Sequence, residues 1–71
     1  MAKTIENDMD LLAAALSQVR VSVWQADATD VYCEVDRGFI DKYTPKSVRV
    51  ISEKTGQPTY YWRDSTLFVI E

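Results

Sequence analysis

The last third of the chain, residues 48–71, reads VRVISEKTGQPTYYWRDSTLFVIE and contains the strongest strand signals in the sequence. Residues 48–52, 59–63 and 66–70 are rich in the β-branched and aromatic types that favour strands. A glycine and a proline in residues 53–58 predict a loop, and the pair Asp64-Ser65 can form a tight turn. The pattern predicts three strands joined as two consecutive hairpins.

The final strand places apolar groups on both of its sides. Leu67, Phe68, Val69 and Ile70 are consecutive, whereas a strand with one wet face alternates apolar and polar residues. We therefore expect this strand to lie inside the sheet, with something covering each face.

Near the N-terminus the sequence predicts a helix over residues 5–17. Thr4 is a candidate N-cap, and acidic residues in the first turns complement the positive end of the helix dipole. The apolar residues recur at helical spacing. They are Ile5, Met9, Leu12 and Leu16, with Leu11 and Ala15 widening the stripe. This stripe is expected to pack on the sheet.

Residues 19–24 and 31–36 alternate as two strands, and the polar residues 27–30 between them predict an antiparallel hairpin. In the second strand Val31, Cys33 and Val35 share one parity and are expected to point inward. The other parity, expected outward, comprises Tyr32, Glu34 and Asp36. Residues 37–40 either continue the strand through a glycine bulge or turn a corner, and residues 41–47 are expected to be a connection.

These elements predict the α+β class, with an N-terminal helix packed on a four- to five-stranded antiparallel sheet. A small open β-barrel with an N-terminal helix is the alternative. Seventy-one residues make a single small domain of marginal stability.

The cysteine and apolar content indicate the compartment. A single cysteine, Cys33, cannot form an internal disulfide, so a reducing compartment fits, and a core role for this side chain is favoured over a reactive one. No apolar run approaches the roughly 20 residues that span a bilayer, and the first residues lack the long apolar segment of a signal peptide. We expect a cytoplasmic protein without membrane contact.

The residue types present exclude most catalytic classes. Histidine is absent, which removes the usual general base, the Ser-His and Cys-His nucleophiles and the common zinc sites. The two glycines are far apart, so a phosphate-binding loop is not available. The expectation is a protein that is not an enzyme and that uses no cofactor, no metal and no small-molecule substrate.

Charge is distributed unevenly along the chain. Residues 1–36 contain two basic and seven acidic residues, whereas residues 37–71 contain six basic and four acidic ones. Two ordinary solvated surfaces explain this difference, and a dipolar molecule steered toward a charged partner is the functional interpretation. Imitation of DNA phosphates by the acidic half is a further interpretation, although the net charge of -3 is small for it.

Aromatic residues supply the first functional hypothesis. Strand parity could place Trp24, Tyr32, Tyr60 and Trp62 on one outer face, and Arg63 follows them in the chain. Tryptophan, tyrosine and arginine are enriched among interface hot spots. The hypothesis is a non-catalytic protein-protein interaction module, such as an inhibitor, adaptor or regulatory accessory protein, that binds another protein or itself as a homodimer. The alternative is that these aromatics close a small barrel or pack under the connection formed by residues 41–47.

The second functional hypothesis is a small β-sheet protein that binds nucleic acid. Basic and aromatic residues of the C-terminal half would meet phosphates and stack on bases. They are Lys42, Tyr43, Lys46, Arg49 and Lys54. The sequence pI of about 4.7 and the acidic residues interleaved among these positions weigh against it, because affinity for phosphates depends on the charges neutralised. The sequence therefore favours protein binding.

Overall fold

The computed structural model describes residues 3–71, which form one α-helix and one antiparallel sheet. The helix, α1, covers Asp8–Ser17. The strands are β1 (Lys3–Thr4), β2 (Arg20–Ala26), β3 (Tyr32–Tyr43), β4 (Ser47–Ser52), β5 (Pro58–Trp62) and β6 (Thr66–Ile70). Their order in the sheet is β1-β6-β2-β3-β4-β5. The α+β class is confirmed, with six strands instead of four to five, because the short β1 precedes the helix.

The connection from β5 to β6 departs from the prediction. β4 and β5 form the expected hairpin, but β6 pairs with β2 and β1 rather than with β5. Residues Arg63–Ser65 form a 3-10 turn in place of a tight hairpin turn. The prediction of a second hairpin was wrong, although β6 does lie inside the sheet as expected.

Only the three residues 63–65 join β5, at one edge of the sheet, to β6, near the other edge, so the sheet must curl strongly. The rings of Tyr61 in β5 and Phe68 in β6 meet edge to face, with their centroids 6.4 Å apart. Even so, β5 and β6 do not pair, so the described part of the sheet stays open, with β1 and β5 at its two edges. The structure is thus the first of the two predicted architectures, a helix packed on one open antiparallel sheet.

The core lies between α1 and the sheet face that we call the inner face. Its buried apolar side chains are Leu11, Ala14, Val21, Val23, Ile40, Val48, Val50 and Phe68. The stripe of the helix that was predicted to pack on the sheet is partly wrong. Met9 and Leu16 are 80% and 75% exposed, whereas Leu11 is only 2% exposed. The helix is apolar on two opposite sides, and the side carrying the small Ala14 is the one that lies against the sheet.

The helix begins three residues later than predicted, and its N-cap is Asn7. The Asn7 side-chain oxygen accepts a hydrogen bond from the backbone N–H of Asp10 at 2.9 Å. Thr4, the predicted cap, lies in β1 opposite Val69. Because Thr4 pairs with β6 as part of a strand, it cannot cap the helix.

Replacing Asn7 with alanine should lower the free energy of unfolding by about 1 kcal/mol, because the N–H of Asp10 loses its acceptor. The matched variant Thr4→Ala should change it by less than about 0.5 kcal/mol, as expected for an exposed residue without a cap role. Urea denaturation followed by circular dichroism measures both values. A larger loss for Thr4→Ala would contradict the position of the cap.

In β3 an irregularity changes which side chains point inward. Trp24 pairs with Glu34 and Val23 pairs with Asp36, so Val35 is an extra residue in the ladder. Asp36 is consequently buried on the inner face, although its parity predicted an outward position. Such bulges are not visible in a simple alternation of residue types.

The predicted core role of Cys33 was also wrong, since Cys33 is exposed together with Val31. Both residues belong to the end of the β2–β3 hairpin, where residues 26–34 are all exposed. The apolar alternation therefore continues beyond the part of the sheet that α1 covers.

The region around Gly38 continues the strand without turning a corner. β3 runs through Gly38 to Tyr43, so strand structure includes much of the segment predicted as a connection. A Cβ atom at Gly38 would overlap the backbone carbonyl oxygen of Ile51 and lie 3.1 Å from Val50. Only glycine lets β4 approach β3 this closely here.

Candidate protein-binding edge

Strand β5 forms one edge of the described sheet and pairs with β4 alone. The ladder between them is marked at its ends by hydrogen bonds from Arg63 N–H to the Lys46 carbonyl (2.8 Å) and from Ser52 N–H to the Gln57 carbonyl (3.1 Å). Hydrogen-bonded and non-bonded pairs alternate in an antiparallel ladder. The backbone N–H and C=O groups of Tyr60 and Trp62 therefore point away from β4, toward the open edge.

The side chains of the same two residues are also open to solvent. Tyr60 is 65% exposed and Trp62 is 66% exposed, and both lie on the outer face, opposite to α1. Tyr61 between them points inward to Phe68. A hollow of about 250 Å³ is lined by Ser47, Tyr60, Tyr61 and Trp62. Strand β5 thus combines outward-pointing backbone N–H and C=O groups with exposed aromatic rings and a neighbouring hollow.

The edge of β5 lacks the charges with which proteins usually protect such edges. Residues 58–62 read PTYYW and contain no ionisable group that is charged at neutral pH. Pro58 shares the outward parity of Tyr60 and Trp62 and has no N–H to donate. Pro58 therefore prevents strand pairing through an N–H only at the first position of the edge, and the backbone groups of Tyr60 and Trp62 remain open to a partner strand.

Basic side chains lie directly behind Tyr60 on the outer face. Arg49 pairs with Tyr60 across the β4–β5 ladder, and Lys42 pairs with Arg49 across the β3–β4 ladder. Arg49 donates to the Tyr60 hydroxyl at 3.5 Å and forms an ion pair with Asp41. The hydrogen bonds to Tyr60 and Asp41 raise the pKa of Arg49, so its guanidinium stays charged. These contacts place the Tyr60 hydroxyl beside the Arg49 guanidinium on the outer face.

Trp24 and Tyr32 share the outer face with Tyr60 and Trp62, but they lie at the other end of the sheet. Trp24 aligns with Glu34 of β3, whereas Tyr60 aligns through Arg49 with Lys42. Glu34 and Lys42 are eight residues apart in β3, two of these being extra residues at irregularities of the ladder, so the separation is roughly 20–26 Å at about 3.3 Å per residue. The predicted aromatic face is therefore two separate groups.

Charged side chains occupy the outer face between the two aromatic groups. Arg37 forms ion pairs with Glu34 at 2.7 Å and with Glu71 at 3.6 Å, and Arg20 forms one with Glu53 at 2.9 Å. The indole N–H of Trp24 donates to the Ser22 hydroxyl at 2.9 Å, and Trp24 is half-buried. Trp24 thus has a local packing role, and Tyr32 is isolated from β5.

Arg63 connects three parts of the fold. Its guanidinium donates to the Thr44 carbonyl at 2.9 Å and to the Asp8 carboxylate at 2.6 Å, which ties the β5–β6 turn to the start of α1. It also lines a cleft of about 280 Å³ beside Asn7, Pro45 and Asp64. These bonds give Arg63 a structural role next to the β5 edge.

The residues predicted for nucleic-acid binding do not converge. Lys42 and Arg49 are neighbours, but Tyr43 lies on the inner face against the core. Lys54 donates to the Val35 carbonyl at 3.0 Å, at a different position along β3. Lys46 is exposed in the turn between β3 and β4. A continuous basic track with stacking rings is therefore not formed by this set.

A buried polar cluster around Asp36 was not identified from the sequence. Asp36 is 4% exposed and accepts hydrogen bonds from the Tyr61 hydroxyl at 2.6 Å, the Ser52 hydroxyl at 2.8 Å and the Arg37 N–H at 2.8 Å. Burial would raise the pKa of Asp36, but these three bonds and the nearby Lys54 charge outweigh it, so the pKa lies below its usual value. Burial and the Asp36 carboxylate raise the pKa of Tyr61. The hydrogen bond from Tyr61 to Asp36 anchors the inner-face side of β5 to β3.

Residues 3–71 contain no group of three or more Cys, Asp or Glu side chains placed to hold a metal ion. Within the same residues, no helix is long and apolar enough to cross a membrane. Comparison with protein-family models, with curated proteins and with solved structures found no match to this chain.

Proposed function

We propose that this protein is a non-catalytic interaction module that binds an extended polypeptide segment along the open edge of β5. The observation that carries the proposal is the coincidence on Tyr60 and Trp62 of outward backbone groups and largely exposed aromatic rings. In binding by strand addition, backbone hydrogen bonds supply affinity and pockets for alternate side chains supply specificity. Both components are available at this edge.

The proposed binding partner has a defined chemistry. Its segment is extended, places backbone carbonyls opposite the N–H groups of Tyr60 and Trp62, and carries apolar side chains at alternate positions to fill the hollow beside Ser47. Tyrosine and tryptophan contribute large contact areas at low entropic cost, which suits them as anchors. The buried Asp36–Tyr61 bond supports them by holding β5 in place.

The test is a selection of random peptides displayed on phage, using the immobilised protein as the target. We expect enrichment of extended sequences with apolar residues at every second position. Trp62→Lys should weaken binding of a selected peptide at least about 30-fold, the loss expected for a hot-spot residue. Tyr32→Lys is the matched control, because it alters an exposed outer-face aromatic at the other end of the sheet. Equal binding by Trp62→Lys, or no enrichment, would contradict the proposal.

Nucleic-acid binding has less support as an alternative. The basic and aromatic residues predicted to bind nucleic acid are dispersed over the sheet, and Arg49 already forms an ion pair with Asp41. A single-stranded oligonucleotide bound with a steep dependence on salt concentration would favour it over peptide binding.

A further inference from the structure

We propose that the segment bound at β5 is β5 of a second copy of this chain, paired antiparallel about a two-fold axis. This inference rests on the proposed function, because it uses the same edge. It joins two six-stranded sheets into one continuous sheet. The pairing register places Tyr60 directly opposite Tyr60 of the second copy.

The backbone groups of β5 complement one another in this register. Tyr60 exchanges two hydrogen bonds with Tyr60 of the second copy, and each Trp62 N–H meets the Pro58 carbonyl of the other copy. All four outward N–H groups therefore find acceptors. Pro58, which cannot donate, contributes only its carbonyl, so the proline that would interrupt most strand pairings is accommodated.

The register also uses the full length of the strand in both copies. β5 runs from Pro58 to Trp62, and the chain leaves the sheet at Arg63 into the 3-10 turn. A shift by one residue in each copy would place Pro58 opposite Asp64 in that turn, where no strand is available. The strand boundaries therefore favour the register centred on Tyr60.

The side chains favour a second copy over a charged partner. Residues 58–62 are uncharged, so two copies meet without repulsion between like charges at the contact. On the outer face, Tyr60 lies beside Tyr60 of the second copy, and each Trp62 lies beside Pro58 of the other. On the inner face Thr59 lies beside Tyr61. These pairs cover the rings that are exposed in the single chain.

Solution mass measured by light scattering from micromolar to millimolar concentrations tests the association. The wild type should change from 8.1 kDa toward twice that mass as concentration rises. Tyr60→Lys places two like charges at the two-fold axis and should raise the dissociation constant at least about 30-fold. Because Tyr60 is exposed, circular dichroism should show the fold retained. Tyr32→Lys should associate like the wild type.

Cysteine cross-linking tests the register. In a Cys33→Ser background, Tyr60→Cys should form a disulfide between copies on mild oxidation, because Cα atoms of a hydrogen-bonded antiparallel pair lie about 5.5 Å apart. Thr59→Cys is the control, since its Cα would lie about 7–8 Å from the same position in the other copy, beyond disulfide reach.

The outcomes distinguish a failure of the second-copy inference from a failure of the proposed function. A wild type that stays monomeric while selected peptides still bind would overturn the second-copy inference and leave the proposed function intact. Association that Tyr60→Lys does not weaken, or cross-linking at residue 59 but not at residue 60, would also overturn the inference. Monomeric protein without peptide binding would contradict both.

Discussion

Replacing Leu11 with alanine is expected to lower the free energy of unfolding by about 2–5 kcal/mol. The same change at Leu16, on the same helix, should lower it by less than about 0.5 kcal/mol. Leu11 is buried against the sheet, so its removal loses apolar contacts and leaves a cavity, whereas Leu16 is largely exposed. Both variants change helix propensity equally, so the difference between them isolates burial.

Urea denaturation followed by circular dichroism measures the two free energies, and unchanged slopes against urea concentration would indicate an unchanged unfolded state. A stability of about 0.05–0.15 kcal/mol per residue leaves a chain of this length little reserve. Leu11→Ala should therefore be close to unfolding at 37 °C. A larger loss for Leu16→Ala would mean that the side of the helix carrying Met9 and Leu16 is the buried one, and would contradict the orientation of α1 against the sheet.

The fold class could be predicted from the sequence because strand signals are local. Alternation and β-branched residues located β2, β4, β5 and β6 closely, and the helical spacing of apolar residues indicated one helix. The helix face could not be predicted, because Leu11 and Ala14 on one side and Met9 and Leu16 on the other are both apolar. Helical spacing identifies a stripe but cannot choose between two.

The order of the strands in the sheet could not be predicted from local sequence signals. Nothing in Asp64-Ser65 distinguishes a hairpin turn from the observed 3-10 turn, and the pairing of β6 with β2 is a contact between residues distant in sequence. The extra residue at Val35 similarly reverses the parity of the residues that follow it. Asp36 was therefore assigned to the wrong face.

The candidate site was predicted in part. The outward positions of Tyr60 and Trp62 follow from parity alone, and the sequence identified them. Their separation from Trp24 and Tyr32 depends on register across β3, which the sequence does not contain. The proline at position 58 was the available signal for an edge strand, since proline is confined to edges and strand ends in sheets.

Replacing Asp36 with alanine is expected to lower the free energy of unfolding by about 2–4 kcal/mol, because it leaves the hydroxyls of Tyr61 and Ser52 without their acceptor. Asp36→Asn keeps the shape and one acceptor oxygen, so its loss should be smaller. Ser52→Ala removes one donor to Asp36 and the acceptor of the Lys54 N–H, and should cost about 1–2 kcal/mol. Urea denaturation at neutral pH provides these values.

The pH dependence gives an independent measure of the same cluster. The pKa of Asp36 is lowered in the folded protein, so its stabilising contribution is present above the unfolded value of about 3.9 and is lost as pH falls through the folded pKa. The pKa of Tyr61 is raised, so its contribution is present below about pH 10 and is lost as pH rises above it. Wild-type stability should therefore fall at both acid and alkaline pH.

Two variants separate the acid and alkaline losses. Asp36→Asn should show a shallower decline in stability between about pH 5 and pH 3 than the wild type, because the group that takes up the proton on unfolding is gone. Tyr61→Phe should remove much of the decline above about pH 10, since no hydroxyl remains to ionise in the unfolded chain. An acid decline equal to that of the wild type in Asp36→Asn would mean that other carboxylates control it. The buried carboxylate would then hold β5 through its hydrogen bonds alone, without a contribution that depends on its ionisation.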